Sequence, residues 1–373
     1  MNHGWEKKRL GDICQINFGK RIVAKDTQPG PYYVYGGGGA TFTTMDYNRE
    51  DCIIVSRFAM SPECVRFVRG RFFLNDSGLS VNSIKDFLTQ AFVDKYLWAI
   101  QPKIYNLGRG AAQKNLNTKS FSELTIPLPA VNIQHKIVSE IDKLNELIEI
   151  KRSQLKDLDA LAQSLFYEIF GDPLENSKKW NVGTLSEYAN FKNGLNFTPA
   201  DDGNKIKCLG VGDFKSNRYI KAENLPEINI VEAVSEEYLL KDGDIILVRS
   251  NGNKALIGRS IMYVSNNSLA TFSGFCIRCR YNRETLAPLF LSYYLSCSAI
   301  REYITSQGRG CNISNLNQKI LSDIPLILPP LSLQNEFAKK IEAIEKQKRL
   351  IESLIADLET LLASRMDYWF NEI

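Results

Sequence analysis

The sequence predicts an α+β protein: two globular, mixed α/β units related by internal duplication and joined by two long antiparallel coiled-coil helices. Three observations carry that prediction. Ile141, Leu144, Ile148, Leu155, Leu158, Ala162, Leu165 and Ile169 follow the alternating three-and-four spacing of a heptad seam, with Lys151 the only charged residue in the row. The row returns 200 residues later as Ile341, Ile344, Ile351, Ile355, Leu358, Leu362 and Trp369, interrupted by Lys348 and Arg365. The repeat also runs beyond the helices: between positions 108 and 134, 11 of 27 residues recur at the same 200-residue offset without a gap. Among them are Gly108-Arg109-Gly110 with Gly308-Arg309-Gly310, Asn115-Leu116-Asn117 with Asn315-Leu316-Asn317, and Gln134 with Gln334. Trp5, Leu10 and Gly19 match Trp180, Leu185 and Gly194 at an offset of 175, so the insertions lie inside the globular parts.

Taken in order, residues 1–130 form the first globular unit. Gly30-Pro31 opens a strand at Tyr32–Tyr35, the glycines Gly36–Gly39 force a loop, and Asp51–Ser56 is a short apolar strand ending at Arg57. Val65–Phe73 alternates Arg66, Arg69 and Arg71 with apolar neighbours, and Phe87–Ile100 has the period of a core helix. Ile126-Pro127-Leu128-Pro129 is an extended entry, because each proline biases its predecessor away from helix, and Asn132 is expected to cap the first long helix. That helix, in 131–172, stops where Gly171-Asp172-Pro173 denies it a continuation. Roughly 36 residues at about 1.5 Å each make a rod of about 54 Å, suited to a two-helix coiled coil.

The second globular unit occupies 173–330. Cys208–Asp213 reads as strand and turn, Leu240–Asp244 as a turn into Ile245–Val248, Thr271–Tyr281 as one strand and Pro288–Tyr303 as one core helix. Ile324–Pro330 repeats the extended entry, and the second long helix fills 331–373, from about Ser332 to Tyr368. The charged ends of Lys151 and Lys348 are expected to leave the seam for solvent, a bound subunit or phosphate.

With 373 residues, 44% hydrophobic and 24% charged, the chain can bury two modest cores. No 18-residue apolar run occurs and Trp5 already belongs to the repeat, so a cytoplasmic protein without a membrane segment is expected. Eight scattered cysteines fit reduced, buried thiols. The net charge of +4 is unevenly spread. Lys and Arg number 17 against 11 Asp and Glu in 1–130 and 18 against 15 in 173–330, but 5 against 8 in 131–172 and 6 against 8 in 331–373. Basic globular parts on acidic helices point the globular parts toward a polyanion, although ordinary surface variation gives splits of this size too.

Most catalytic chemistry lacks its residues. No phosphate-cradling Gly-x-x-x-x-Gly-Lys-Ser/Thr occurs, and His3 and His135 are the only histidines for acid–base, triad or metal work. Cys276-Ile-Arg-Cys279 has no second pair, and an alternating strand would send its sulfurs to opposite faces. The Asn/Asp-Pro-Pro-aromatic tetrapeptide with which DNA amino-methyltransferases hold a flipped base is absent. The Gly36–Gly39 loop is not followed by the helix of a dinucleotide site, so it reads as a turn needing positive φ or a close backbone approach.

Two variable globular units, each ending in Leu-Pro and a downstream Gln that opens a long helix, resemble the specificity (S) subunit of type I restriction-modification systems. Tyr33-Val-Tyr-Gly-Gly-Gly-Gly39 and Cys52-Ile-Ile-Val-Ser-Arg57 resemble strand-loop signatures of that family's target-recognition domains. So do Leu209-Gly-Val-Gly-Asp213, Asp242-Gly-Asp-Ile-Ile-Leu-Val-Arg-Ser250 and Ser314-Asn-Leu316 in the second unit. The resemblance implies two target-recognition domains, a non-catalytic subunit that reads a two-part double-stranded DNA site, two modification (methyltransferase) subunits as partners, and restriction subunits recruited through them. It places the cofactor S-adenosylmethionine on the modification subunit and none on this chain. The first unit has Ser77-Gly78 after its arginine-rich strand and lacks the Asp-Gly-Asp turn of the second, so the units belong to different recognition subtypes.

Loops that present side chains to base edges, with Lys and Arg on phosphates, make the candidate DNA contacts Lys20, Arg21, Tyr35, Arg57, Arg109, Lys114 and Asn115 in the first unit. In the second they are Lys192, Asn193, Arg249, Ser250, Asn251, Asn253, Lys254, Arg309 and Asn315. Arg109 and Arg309 are flanked by glycines and serve equally well as contacts to a partner subunit. The alternative functions are a stand-alone DNA-binding repressor or architectural protein, and an adaptor that never touches DNA.

Overall fold

The computed structural model describes residues 4–110, 113–197, 203–214, 218–231, 233–266, 268–306 and 315–370. The chain divides into two compact units: Met1–Ser153 with Glu352–Ile373, and Gln154–Ile351. Each unit thus takes a segment from both long helices, Val131–Phe170 and Leu331–Phe370, which run 40 residues each.

The first unit is built on a six-stranded sheet in the order Cys14–Phe18, Gly78–Ser83, Arg49–Ser56, Val65–Leu74, Tyr32–Gly36 and Gly39–Thr44. All neighbours are antiparallel except Val65–Leu74 with Tyr32–Gly36. The strand period of two sorts the central strand cleanly. Ile53 and Val55 enter the main core, while Cys52 and Ile54 join Phe72 and Leu74 on the other face. The helix Gln90–Ala99 lays Phe92, Val93, Tyr96 and Leu97 into the main core, where Phe370 meets Phe92 at 5.6 Å and Tyr96 at 5.7 Å between ring centroids. Ile141, Leu144 and Ile148 share this core with Leu362 and Trp369, and Glu140 accepts from Arg365 while Arg152 pairs with Glu359. Rising numbers on one helix meet falling numbers on the other, so the two segments are antiparallel.

The second unit carries a five-stranded sheet in the order Ala189–Asn193, Cys276–Tyr281, Ile245–Val248, Ser260–Val264 and Tyr219–Lys221. Beside it lies a three-stranded sheet of Glu227–Ile230, Asn204–Leu209 and Ala270–Phe272. Phe166 and Phe170 of the first long helix pack on Phe337 of the second and on Phe290, again antiparallel, with Asp159 paired to Lys348 at 2.8 Å. Lys348 is therefore held by Asp159 and Glu345, with its side chain only 16% exposed, and does not run out to solvent as the seam suggested. Cys276 faces one core cluster of this unit and Cys279 the other, as the alternating strand requires. Burial pushes the Cys276 thiol up to about 12 and raises that of Cys279 further, so both are inert packing residues.

The duplicated glutamines explain how each long helix begins. Gln134 and Gln334 are fully buried. Gln134 accepts from the Thr89 N–H at 2.9 Å and donates to the Phe87 and Pro129 carbonyls; Gln334 accepts from the Ala287 N–H at 2.8 Å and donates to the Thr285 and Pro329 carbonyls. One amide thus ties the start of each long helix to the start of the core helix beneath it. The expected cap Asn132 lies inside the helix and bonds the next N–H, because the Ala130 carbonyl takes the first helical bonds.

Three other expectations are corrected. Thr271–Tyr281 is two strands, since Ser273 and Gly274 turn the chain and a Cβ on Gly274 would stand 1.9 Å from the Asn196 side chain. Pro288–Tyr303 breaks at Cys297, whose ψ of 155° separates helices Pro288–Ser296 and Ser298–Ser306; the Ser296 hydroxyl bonds back to the Tyr293 carbonyl, competing with the helical ladder. The first core helix begins only at Gln90, after an exposed Phe87.

Candidate nucleic-acid interface

In the first unit, the C-terminal end of the strand Arg49–Ser56 is where the chain converges. The Arg57 N–H donates to the Ser77 carbonyl at 2.8 Å, its carbonyl accepts from the Leu116 N–H at 2.7 Å, and its guanidinium donates to the Asp76 carbonyl at 2.8 Å. Gly19 and Lys20 close the turn from the far side, donating to the Gly78 and Leu74 carbonyls. The same five bonds recur in the second unit. Arg249 N–H donates to Phe275, the Leu316 N–H donates to the Arg249 carbonyl, the Arg249 guanidinium reaches the Gly274 carbonyl at 3.2 Å, and Gly194 and Leu195 donate to the Cys276 and Phe272 carbonyls. Arg57 and Arg249 are therefore equivalent positions.

The repeated Asn-Leu-Asn now has a physical role. Its leucine N–H holds the arginine carbonyl, and its last residue, Asn117 or Asn317, caps the short helix that follows. Asn115 adds a bond from the Ala59 N–H at 3.3 Å, which fixes a non-glycine residue at φ +47°. Such a conformation costs energy and persists only where neighbours over-determine it. The matched glycines are required by closeness: a Cβ on Gly19 or Gly194 would stand 2.0 Å from the Asn75 or Ser273 carbonyl oxygen.

Around Arg57 the structure gathers several of the expected residues. Lys20 and Arg21 are exposed beside the turn, and Arg109 is exposed and strand-paired with Asn115. Lys114 lies with its Nζ 4.0 Å over the Tyr105 ring. Tyr35 is not among them as a free reader, because its ring is half-buried and edge-on to Phe72 at 5.3 Å. The Gly36–Gly39 loop is a hairpin turn that satisfies both readings of it: Gly39 has φ +115°, and a Cβ on Gly37 would meet the Phe58 carbonyl at 2.9 Å.

In the second unit, Arg249 and Ser250 are half-buried, Lys254 and Asn315 are exposed, and Asn193 has a buried Oδ1 without a hydrogen-bond partner. Asn251 and Asn253 spend their side chains shaping the loop, accepting from the N–H groups of Asn253 and Ala255. Lys192 is neutralised: its Nζ is 2.7 Å from Glu237 and 4.6 Å over Tyr238, and the hydrogen bond to Glu237 raises its pKa. Arg309 lies outside the described residues.

Reading the sequence alone missed Phe18 and Phe58, whose ring centroids lie 4.4 and 4.8 Å from the Arg57 guanidinium carbon. It also missed the equivalence of Arg57 and Arg249, for which a signal existed in Ile53-Ile-Val-Ser-Arg57 and Ile245-Ile-Leu-Val-Arg249. Such an end offers directed N–H donors, aromatic faces and fixed positive charge. Among the described residues no group of three or more His, Cys, Asp or Glu could hold a metal ion, and no helix is long and apolar enough to cross a membrane.

A family model described as the Type I restriction modification DNA specificity domain matches residues 2–160 and 177–360. The chain is 26% identical over 277 residues to the type I restriction enzyme StySPI specificity subunit of Salmonella potsdam, an alignment that takes in 70% of this chain and 59% of that protein. It is 22% identical to the type I restriction enzyme MjaVIII specificity subunit of Methanocaldococcus jannaschii, over 96% of this chain and 92% of that one. In fold it is similar to the crystal structure of the type I restriction-modification system S subunit from M. genitalium, with a TM-score of 0.58, 18% identity and coverage of 100% of this chain and 97% of that one. With its family model matched over both halves, and the same arginine-centred turn built twice, the chain belongs to the type I restriction modification DNA specificity domain family.

Proposed function

We propose that the chain is the DNA-specificity subunit of a type I restriction-modification complex, a non-catalytic reader of a two-part double-stranded site with one half read by each globular part. The observation that carries this is the recurrence of one arginine-centred turn in two net-basic globular parts whose surrounding side chains differ. A common backbone frame positions a guanidinium against DNA, while different neighbours read different bases. Two short readouts joined in one chain act as one specific site. Partners are two modification subunits, which carry S-adenosylmethionine and perform methyl transfer, and restriction subunits recruited through them. Six of the described cysteines are buried and histidine is scarce, which leaves little material for nucleophilic or acid–base work.

Methylome sequencing of the host with and without the gene tests the proposal. A bipartite modified site that vanishes with the gene is expected, and exchange of residues 180–323 for a relative's should change one half only. An unchanged methylome, or both halves changing together, refutes it. The stand-alone repressor reading predicts instead specific DNA binding by the isolated chain with no effect on methylation.

A further inference from the structure

The two equivalent arginines are held alike but flanked differently. Phe18 and Phe58 both lie against the Arg57 guanidinium, with ring centroids 4.4 and 4.8 Å from its central carbon, and remain 49% and 44% exposed. At the corresponding places in the second unit stand Asn193 and Ser250. Aromatic rings left open to water beside a pinned cation are poorly explained by packing, because neither ring belongs to a core cluster. The guanidinium donates in its own plane; one of its N–H groups is committed to the Asp76 carbonyl and its Nε is buried, which leaves the terminal nitrogens as its outward donors. The result is a pinned cation with two exposed aromatic rings beside it, at an end that also carries Lys20, Arg21 and Arg109.

We infer that Phe18 and Phe58 are specificity-determining residues of the first unit and that they read thymine through its 5-methyl group, beside the Arg57 guanidinium. The inference rests on the proposed DNA-reading function. The basic surroundings select a polyanion over an apolar protein surface. Within the major groove, thymine is the base that presents a methyl group next to an acceptor, and a phenyl ring is a known fit for that methyl. The second unit keeps the anchor and replaces both rings by polar side chains, so its half-site follows different rules.

The test uses the complex of this chain with its modification subunits and the site found by methylome sequencing. The half-site that survives exchange of residues 180–323 belongs to the first unit. In a duplex carrying the site, each thymine of that half is replaced by uracil, which pairs identically and lacks only the methyl. Binding by the wild-type complex should weaken about fourfold for each contacted methyl, the effect of exposing one CH2-sized group. The Phe18→Ala/Phe58→Ala complex should bind thymine and uracil duplexes equally, while its response to uracil in the other half matches the wild type. A first half-site without thymine, or a wild-type complex indifferent to uracil at every position, overturns the inference. So does a double variant that loses its subunits while the wild type ignores uracil, which would place the rings against a protein. The wild-type measurement needs no variant, so it decides even where the double variant misfolds. Absence of any specific site would instead refute the DNA-reading function.

Discussion

Replacing Gln334 by leucine should loosen the second unit from the inside. The side chain is fully buried and so is Ala287, whose N–H it accepts at 2.8 Å; it also donates to the Thr285 and Pro329 carbonyls at 3.0 and 2.9 Å. Leucine is close in size, so the change removes bonding with little change of volume. A buried N–H left without a partner costs about 1–3 kcal/mol, and two carbonyls lose a donor as well, against a small gain from the added apolar surface. A net loss of about 2–4 kcal/mol is expected. A single melting temperature is a poor readout for a chain with two compact units, whereas native-state hydrogen exchange followed by mass spectrometry resolves the affected segment. Amides of helix Pro288–Ser296 and of the first turns of helix Leu331–Phe370 should exchange roughly thirtyfold to several hundredfold faster, since each 1.4 kcal/mol is a factor of ten. Gln134→Leu should do the same to the first unit through Thr89, Phe87 and Pro129. Unchanged protection in both variants would refute the role assigned to the glutamines.

Other expectations follow from particular groups. Burial pushes the Asp94 carboxyl up to about 6, against the Gln90 amide and Lys95 that pull it down. The folded state therefore holds its proton longer than the unfolded state, so this group's contribution to stability is full below about pH 4 and is lost as pH rises through 6; Asp94→Asn should flatten that slope and gain about 1–2 kcal/mol at pH 7, as denaturant titrations across pH 4–8 would register. Gly194→Ala would drive a Cβ to 2.0 Å from the Ser273 carbonyl and should degrade the second half-site alone, read as a modified motif with one half relaxed; a fully intact motif would contradict the turn's role. Lys348→Met should change stability by under about 1 kcal/mol in a double-mutant cycle with Asp159, because partly exposed ion pairs recover little more than their desolvation cost. A loss above about 2 kcal/mol would mark that pair as a major support of the second unit.

The long helices were legible because their period is sustained over 40 residues and their ends carry proline and glycine signals. Gln134 and Gln334 were visible as identities, yet their purpose lay in bonds to residues 45 and 47 positions away, which no local pattern displays. The sheets were legible as strands and not as an order, since a parallel neighbour such as Tyr32–Gly36 beside Val65–Leu74 depends on chain closure. Equivalent arginines escaped notice because the offset drifts from 175 to 200 through insertions, placing Arg249 192 residues after Arg57. Lys192 and Tyr35 looked like free readers because a polar residue near a strand end has the same appearance whether it meets solvent, Glu237 or Phe72.

The way the helices are shared between the units bears on the order in which the protein can be made. Phe370, Trp369 and Leu362 sit in the same core as Phe92 and Tyr96, so the first unit waits for a segment made after the whole of the second to cover its aromatic face. The unit Gln154–Ile351 is contiguous and lies entirely between the two segments of the first. Vectorial synthesis, which ordinarily lets the leading domain fold ahead of the trailing one, gives the first unit no such lead here. A released chain truncated after Ile351 would keep every residue of the second unit and leave the hydrophobic face of the first open, and that species is where chaperone capture or aggregation would begin.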